Sequence, residues 1–217
     1  MQDYAILRRT MVDTQIRPSD VTKFPIIDAM LKVRREAFVP DDKRPAAYVD
    51  ELIDLGEGRF VLDPRSFAKM LDALDVQPTD MVLDIGCGLG YSSAILAQMA
   101  GTVIAIEENE SFVETAQTTL VEQGCLNVVV NAAPLVAGDA SSAPYDVILI
   151  QGGVEDVPQT LLDQLADGGR LACIFQNGGT GILKLGYKID GQVSWRYEAN
   201  AAAPVLSGFE KSKDFVL

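Results

Sequence analysis

The residues best equipped for chemistry are two acids and three glycines. Asp84-Ile85-Gly86-Cys87-Gly88-Leu89-Gly90 forms one run, and Glu107 follows 23 residues after Asp84. The run comes after a short apolar segment, Met81-Val82-Leu83, and before a helix-like stretch from Tyr91 to Met99. Strand, glycine turn and helix together bring backbone N–H groups and a helix N-terminus close to a nucleotide-like ligand. Side chains at Gly86, Gly88 and Gly90 would block that approach or forbid the turn. A second apolar segment, Thr102 to Ile106, ends in Glu107. A carboxylate at the tip of a second strand can hold a ribose diol through two O–H···O⁻ bonds. The dinucleotide fingerprint Gly-x-Gly-x-x-Gly would need glycine at position 91, where this chain has Tyr91. The competing explanation is a plain glycine-rich turn with two surface acids.

Acid-x-Gly-x-Gly-x-Gly with a second acid resembles the S-adenosylmethionine (SAM) site of class I methyltransferases. The composition is compatible. The chain has no histidine, which removes Ser-His-Asp and Cys-His catalysis and most transition-metal sites, so no metal is expected. Cys87, Cys125 and Cys173 are odd in number and widely spaced, which suits neither a disulfide framework nor zinc, and each is expected to be a packed residue. The net charge is −13. Residues 1–45 hold nine Lys/Arg against seven Asp/Glu, leaving nine against 24 in the remainder. That acidic surface repels a phosphate backbone and argues against nucleic-acid partners. No apolar stretch is long enough for a membrane helix, and acid and base interrupt the first nine residues, so no signal peptide is read there. A cytoplasmic location without membrane contact is the expectation.

The elements that must position these residues can be read from periodicity. Residues 1–40 read as two helices, the second from Val21 to about Val33 behind a Ser19-Asp20 cap. Tyr48 to Leu62 reads as extended or looped with turns at Gly56 and Gly58, and Pro64 can start a helix from Arg65 to about Leu74. Strands are expected at 81–85, 102–106, 126–130, 146–150 and 170–175, alternating with helices at 91–99, 110–122 and 158–166. Asp190-Gly191, between 184–189 and 192–197, signals a hairpin. The expected fold is α/β and Rossmann-like: a mostly parallel seven-stranded sheet, a C-terminal antiparallel hairpin and an N-terminal helical cap. One domain is expected, with residues 1–64 as cap and substrate loop and 65–217 as the SAM-binding core.

Several stretches together resemble the protein-L-isoaspartate O-methyltransferase family. They are Met11-Val12-x-x-Gln15-Ile16, Val33-Arg34-Arg35-Glu36-x-Phe38-Val39-Pro40, Ala47-Tyr48, Leu55-Gly56-x-Gly58 through Pro64, and the glycine run. Asn127-Val128, Ala143-Pro144-Tyr145-Asp146 and Val157-Pro158-x-x-Leu161-x-x-Gln164-Leu165-x-x-Gly168-Gly169 continue the match to about residue 171. The resemblance implies methylation of the carboxylate of isoaspartyl residues in proteins or peptides, for repair. It implies SAM as cofactor, held by Asp84, Gly86, Cys87, Gly88, Gly90, Tyr91, Glu107, Glu108, Ala133 and Gln151. Such enzymes also pair as homodimers, and nothing in this sequence fixes an interface.

The chain departs from the family pattern at three places. The family's Gln-Thr-Ile-Ser-x-Pro, whose serine hydroxyl lies at the reacting carboxylate, is here Arg59-Phe60-Val61-Leu62-Asp63-Pro64. Leu62 stands at the serine position and offers no donor. Arg59 is a candidate carboxylate clamp, since guanidinium binds carboxylate through two parallel hydrogen bonds. Its bland alternative is a loop arginine paired with Glu57 or Asp63. The family's Gly-Asp-Gly aligns with Ala133-Pro134-Leu135, which removes the acid at the adenine. Gln151-Gly152-Gly153 replaces Ala-Ala, either to admit a bulkier acceptor or as a flexible loop. Two further functions stay open: a SAM methyltransferase with another acceptor, and a SAM-binding protein without isoaspartyl activity.

Overall fold

The structure, a computed structural model, describes residues 3–211. Residues 1–2 and 212–217 of the two expected segments lie outside the described residues.

Helix α1 (Tyr4–Met11) starts where the Asp3 carboxylate accepts the Ala5 and Ile6 N–H groups. It continues into a π turn, Val12–Ile16, and a 3₁₀ turn, Arg17–Ser19. Helix α2 is Phe24–Lys32, shorter than the 21–33 expected from periodicity. Ser19 does not cap it: its hydroxyl donates to the Gln15 carbonyl, and Asp20 takes a left-handed conformation that ends the preceding turn. Pro25 in the first turn starts α2 instead, where a missing N–H costs nothing.

Residues 53–61 form a small antiparallel hairpin of β1 (Ile53–Gly56) and β2 (Arg59–Val61). Gly56, Glu57 and Gly58 all have positive φ at its tip. Helix α3 (Pro64–Leu74) follows at once, with Asp63 accepting the Ser66 N–H as N-cap. Such a cap is worth about 1 kcal/mol.

The core alternates β3 (Met81–Ile85), α4 (Tyr91–Ala97), β4 (Thr102–Glu107), α5 (Glu110–Glu122) and β5 (Val128–Ala132). It then runs through β6 (Tyr145–Val154), α6 (Gln159–Gln164), β7 (Leu165–Asn177), β8 (Thr180–Ile189) and β9 (Gln192–Asn200). The seven strands lie in the order β5-β4-β3-β6-β7-β8-β9, parallel through β7 and antiparallel from β7 to β9. The expected hairpin is β8–β9. Asp190 and Gly191 both take the positive φ that an Asp-Gly turn needs.

Because strand side chains alternate, the two faces of the sheet bury separate cores. Val82, Val103, Ala105, Val147 and Leu149 pack with α2–α5, while Leu83, Ile85, Ile104, Ile106, Ile148 and Ile150 pack with α6 and Leu206. Asp84 and Glu107 share the parity of the first set. The chain runs outward from β3 to β5 and returns to β6, so the strand order reverses between β3 and β6. Ligand crevices of open α/β sheets form at such a switch point, beyond the strands' carboxyl ends. No helix among the described residues is long and apolar enough to cross a membrane.

Candidate active site

The glycine turn leaves β3 at the switch point with Gly86, Gly88 and Gly90 all at positive φ. Asp84, at the end of β3, is fully buried. One of its oxygens accepts the hydroxyls of Ser92 and Ser93, both at 2.6 Å, and the other accepts Nε2 of Gln151 at 3.0 Å. It therefore ties the start of α4 and the end of β6 to the turn. Burial pushes its carboxyl up from the ordinary value, against the three hydrogen bonds that favour the charged form. Cys87 is buried in the same turn, and burial raises its thiol well above the usual value, which leaves it unreactive.

Glu107 ends β4 and is equally buried. Its carboxylate accepts the Gly88 N–H at 3.0 Å, the Glu108 N–H at 2.8 Å and the Asn109 N–H at 3.1 Å. Arg59 supplies the rest: Nε lies 3.0 and 3.1 Å from the two oxygens, and Nη2 lies 2.9 Å from Glu108 Oε2. The second oxygen of Glu108 accepts the Leu135 N–H at 3.2 Å. Arg59 is thus neither an exposed loop residue nor paired with Glu57 or Asp63. Its guanidinium is turned onto β4, with Glu107 and Glu108 as its carboxylates.

Leu62 is buried and lines a small cavity of about 10 Å³ with Phe60, Val61, Phe67, Gly86, Cys87, Tyr91, Ser92 and Gln151. Its carbonyl accepts Nη2 of Arg35, a fully buried guanidinium stacked 4.6 Å over the Tyr91 ring. Ala133 lies beside β4, its N–H bonded to the Glu107 carbonyl. Asp84, Glu107, the glycines, Tyr91, Gln151 and Leu62 therefore gather around one turn, and Arg59 joins them from the β1–β2 hairpin. Gln151-Gly152-Gly153 is no loop, because β6 extends through Val154. A side chain on Gly152 would run into Leu206, and one on Gly153 into the backbone of residues 203–204. The two glycines make room for the chain's own C-terminal segment, which hydrogen-bonds to Gly153 on both sides through Pro204 O and Leu206 N.

Sequence reasoning missed Ser92, Ser93 and Leu206. The serine pair at the start of the helix after the turn was a usable signal, and so was Gly152-Gly153, since glycine inside a strand marks a close backbone approach.

A family model for protein-L-isoaspartate(D-aspartate) O-methyltransferase matches residues 8–204. The chain belongs to that family. Among curated members, the protein-L-isoaspartate O-methyltransferase of Roseiflexus sp. (strain RS-1) is 36% identical over 169 residues, covering 78% of this chain and 77% of the relative. Protein-L-isoaspartate O-methyltransferase 2 of Geotalea uraniireducens (strain Rf4) is 39% identical over 166 residues, or 76% of each. A solved protein-L-isoaspartate O-methyltransferase superposes with a TM-score of 0.81 at 24% identity, covering 95% of this chain and 66% of the other. A putative member from Plasmodium falciparum, solved with S-adenosyl-L-homocysteine, gives 0.78 at 17%, covering 95% and 99%. These two establish the Rossmann-like methyltransferase fold.

The family's methyltransferases use SAM. The residue types of the turn and Glu107 suit that cofactor, but in this conformation their polar groups are already bonded and the space is filled. The carboxylate expected to hold the ribose already accepts from four donor groups, about as many as its lone pairs allow. The Gly86 and Cys87 N–H groups both go to the Ile106 carbonyl. Above Gly86, methyls of Leu206 and Leu135 stand 3.4 and 3.6 Å from where a Cβ would be. A cavity of about 10 Å³ holds a single water at most.

Proposed function

We propose that this chain carries the activity of its family, methyl transfer from SAM to the free carboxylate of isoaspartyl residues in proteins and peptides. What supports this most is a family match that spans residues 8–204 and contains the glycine turn with Glu107 buried beside it. SAM, when bound, supplies a methyl group activated by its sulfonium charge. The acceptor is already a nucleophile as its carboxylate, so no side chain has to remove a proton, which suits a chain without histidine. The protein's part is to orient the acceptor and exclude water. Phe60, Leu62, Phe67 and Tyr91 form the apolar wall for that task, with Ser92 and Gln151 as its polar groups.

Leu62 favours a second reading. Without a hydroxyl at that position the chain has no side-chain donor there for the acceptor, which points to another methyl acceptor or to SAM binding without isoaspartyl turnover. Transfer of labelled methyl from SAM to an isoaspartyl peptide, with the aspartyl peptide as control, decides between them. Base-labile label on the isoaspartyl peptide alone is the expected result. Binding of S-adenosylhomocysteine with no label on either peptide would establish the second reading.

A further inference from the structure

We propose that Arg59 is the resident occupant of the ribose subsite, and that the β1–β2 hairpin carrying it is a lid that must lift before an adenosyl ligand can bind. The inference rests on the proposed use of Glu107 as the ribose carboxylate and concerns how access to it is controlled.

Three observations converge. The first is saturation. A diol would bring two O–H donors to the two oxygens of Glu107, and the single Arg59 Nε–H already lies across both, 3.0 and 3.1 Å away. The other positions on the carboxylate are filled by the Gly88, Glu108 and Asn109 N–H groups. Those backbone donors belong to the glycine turn and to the link from β4 into α5, and stay in place with the core. Arg59 belongs to another element, so it is the one donor a ligand can displace.

The second is contact. Leu55, on the same hairpin, lies so close to the turn that a Cβ on Gly88 would come within 2.8 Å of its Cδ1. Arg59 and Leu55 thus sit on the carboxylate and on the second glycine together. Glu108 extends the closure sideways by bridging Arg59 Nη2 to the Leu135 N–H. The hairpin covers the surface that a nucleoside would have to touch.

The third is construction. The hairpin has strands of four and three residues, pairs with no other strand among the described residues, and has an irregular register between Asp54 and Gly56. An isolated two-stranded hairpin is marginally stable by itself. Its tip stands in open space, with nothing within 4 Å of a Cβ on Gly56 or Gly58. The element is held down by its underside and is free on its outside, as a lid has to be.

A closed lid lowers apparent affinity by the fraction of molecules that are open, so weakening the latch tightens binding. The test is S-adenosylhomocysteine titrated calorimetrically into the wild type, Arg59→Gln and Leu55→Ala, with thermal unfolding to confirm that each is folded. Leu55→Ala loosens the lid without touching either carboxylate, so it still decides the matter if Arg59→Gln does not fold. The expected result is tighter binding by both variants, at least tenfold for Arg59→Gln. Equal or weaker binding by folded variants would overturn the lid, and would leave the proposed activity intact if labelled isoaspartyl peptide still forms. Failure of all three folded proteins to bind would overturn the lid and the activity together.

Discussion

Asp84 and Glu107 end adjacent parallel strands, share a face of the sheet and are equally buried, yet they are satisfied in opposite ways. Asp84 takes two hydroxyls and an amide, all neutral, from α4 and from the end of the neighbouring strand β6. Glu107 takes three backbone N–H groups and a guanidinium delivered from 48 residues earlier in the chain. The first carboxylate fastens the core to itself. The second fastens the core to an accessory hairpin through a charged pair, so its partner can be exchanged without unmaking the sheet.

The largest effect that would break this comparison is expected from Glu107→Gln. Arg59 would lose its principal counter-charge while buried, and breaking a buried pair from one side costs about 3–5 kcal/mol. Glu108 stays on Nη2, so the lower end of that range is expected in urea unfolding. A loss below about 1 kcal/mol, the worth of a surface pair, would mean that the hairpin contact is dispensable.

Asp84→Asn is expected to cost about 1–3 kcal/mol, since an amide nitrogen would face donors where an oxygen now accepts. Its pH dependence is the sharper readout. Burial raises the Asp84 carboxyl in the folded chain, so on titrating upward the unfolded chain releases its proton first. Above about pH 4 the folded state therefore binds more protons, and wild-type stability falls as pH rises through that window. The deficit of Asp84→Asn should be greatest near that pH and narrow above it. A gap that widens with pH would mean that the hydrogen bonds outweigh burial.

Asp139 supplies the smallest and most diagnostic contrast. It too accepts two serine hydroxyls, from Ser141 and Ser142, but in a half-exposed loop. There the hydrogen bond from Ser141 dominates and lowers its carboxyl. A lowered folded value gives stability that is present above the ordinary carboxylate range and lost as pH falls through the folded value. Asp139→Asn should thus shift the melting temperature slightly at neutral pH and not at all in strong acid, the reverse of Asp84.

The sequence revealed most where a rule is local. The βα alternation, the glycine turn, the Asp190-Gly191 hairpin and the two strand-tip acids are set by neighbours within a few residues, and all are present. Yet β5 is Val128–Ala132 where 126–130 was expected, and β7 begins at Leu165, cutting α6 short at Gln164. It revealed least where partners are distant. Arg59 could be read as a loop arginine or a clamp because Glu107 lies far along the chain and no local pattern announces their meeting. Gly152-Gly153 could be read as space for an acceptor because Leu206 and residues 203–204, which fill that space, come some 50 residues later. The α2 start differs for another reason: Ser19 is bonded backward to Gln15, Asp20 is left-handed, and the helix begins at Phe24-Pro25 without a side-chain cap.

The segment from Ala203 to Phe209 lies along β6 and places Leu206 over the first glycine of the turn. During synthesis, the turn, both acids and the hairpin all emerge before it. A nascent chain that has folded as far as β9 has Leu135 beside Gly86 but still lacks the Leu206 methyl over it, so the roof of the turn is completed only after the sheet.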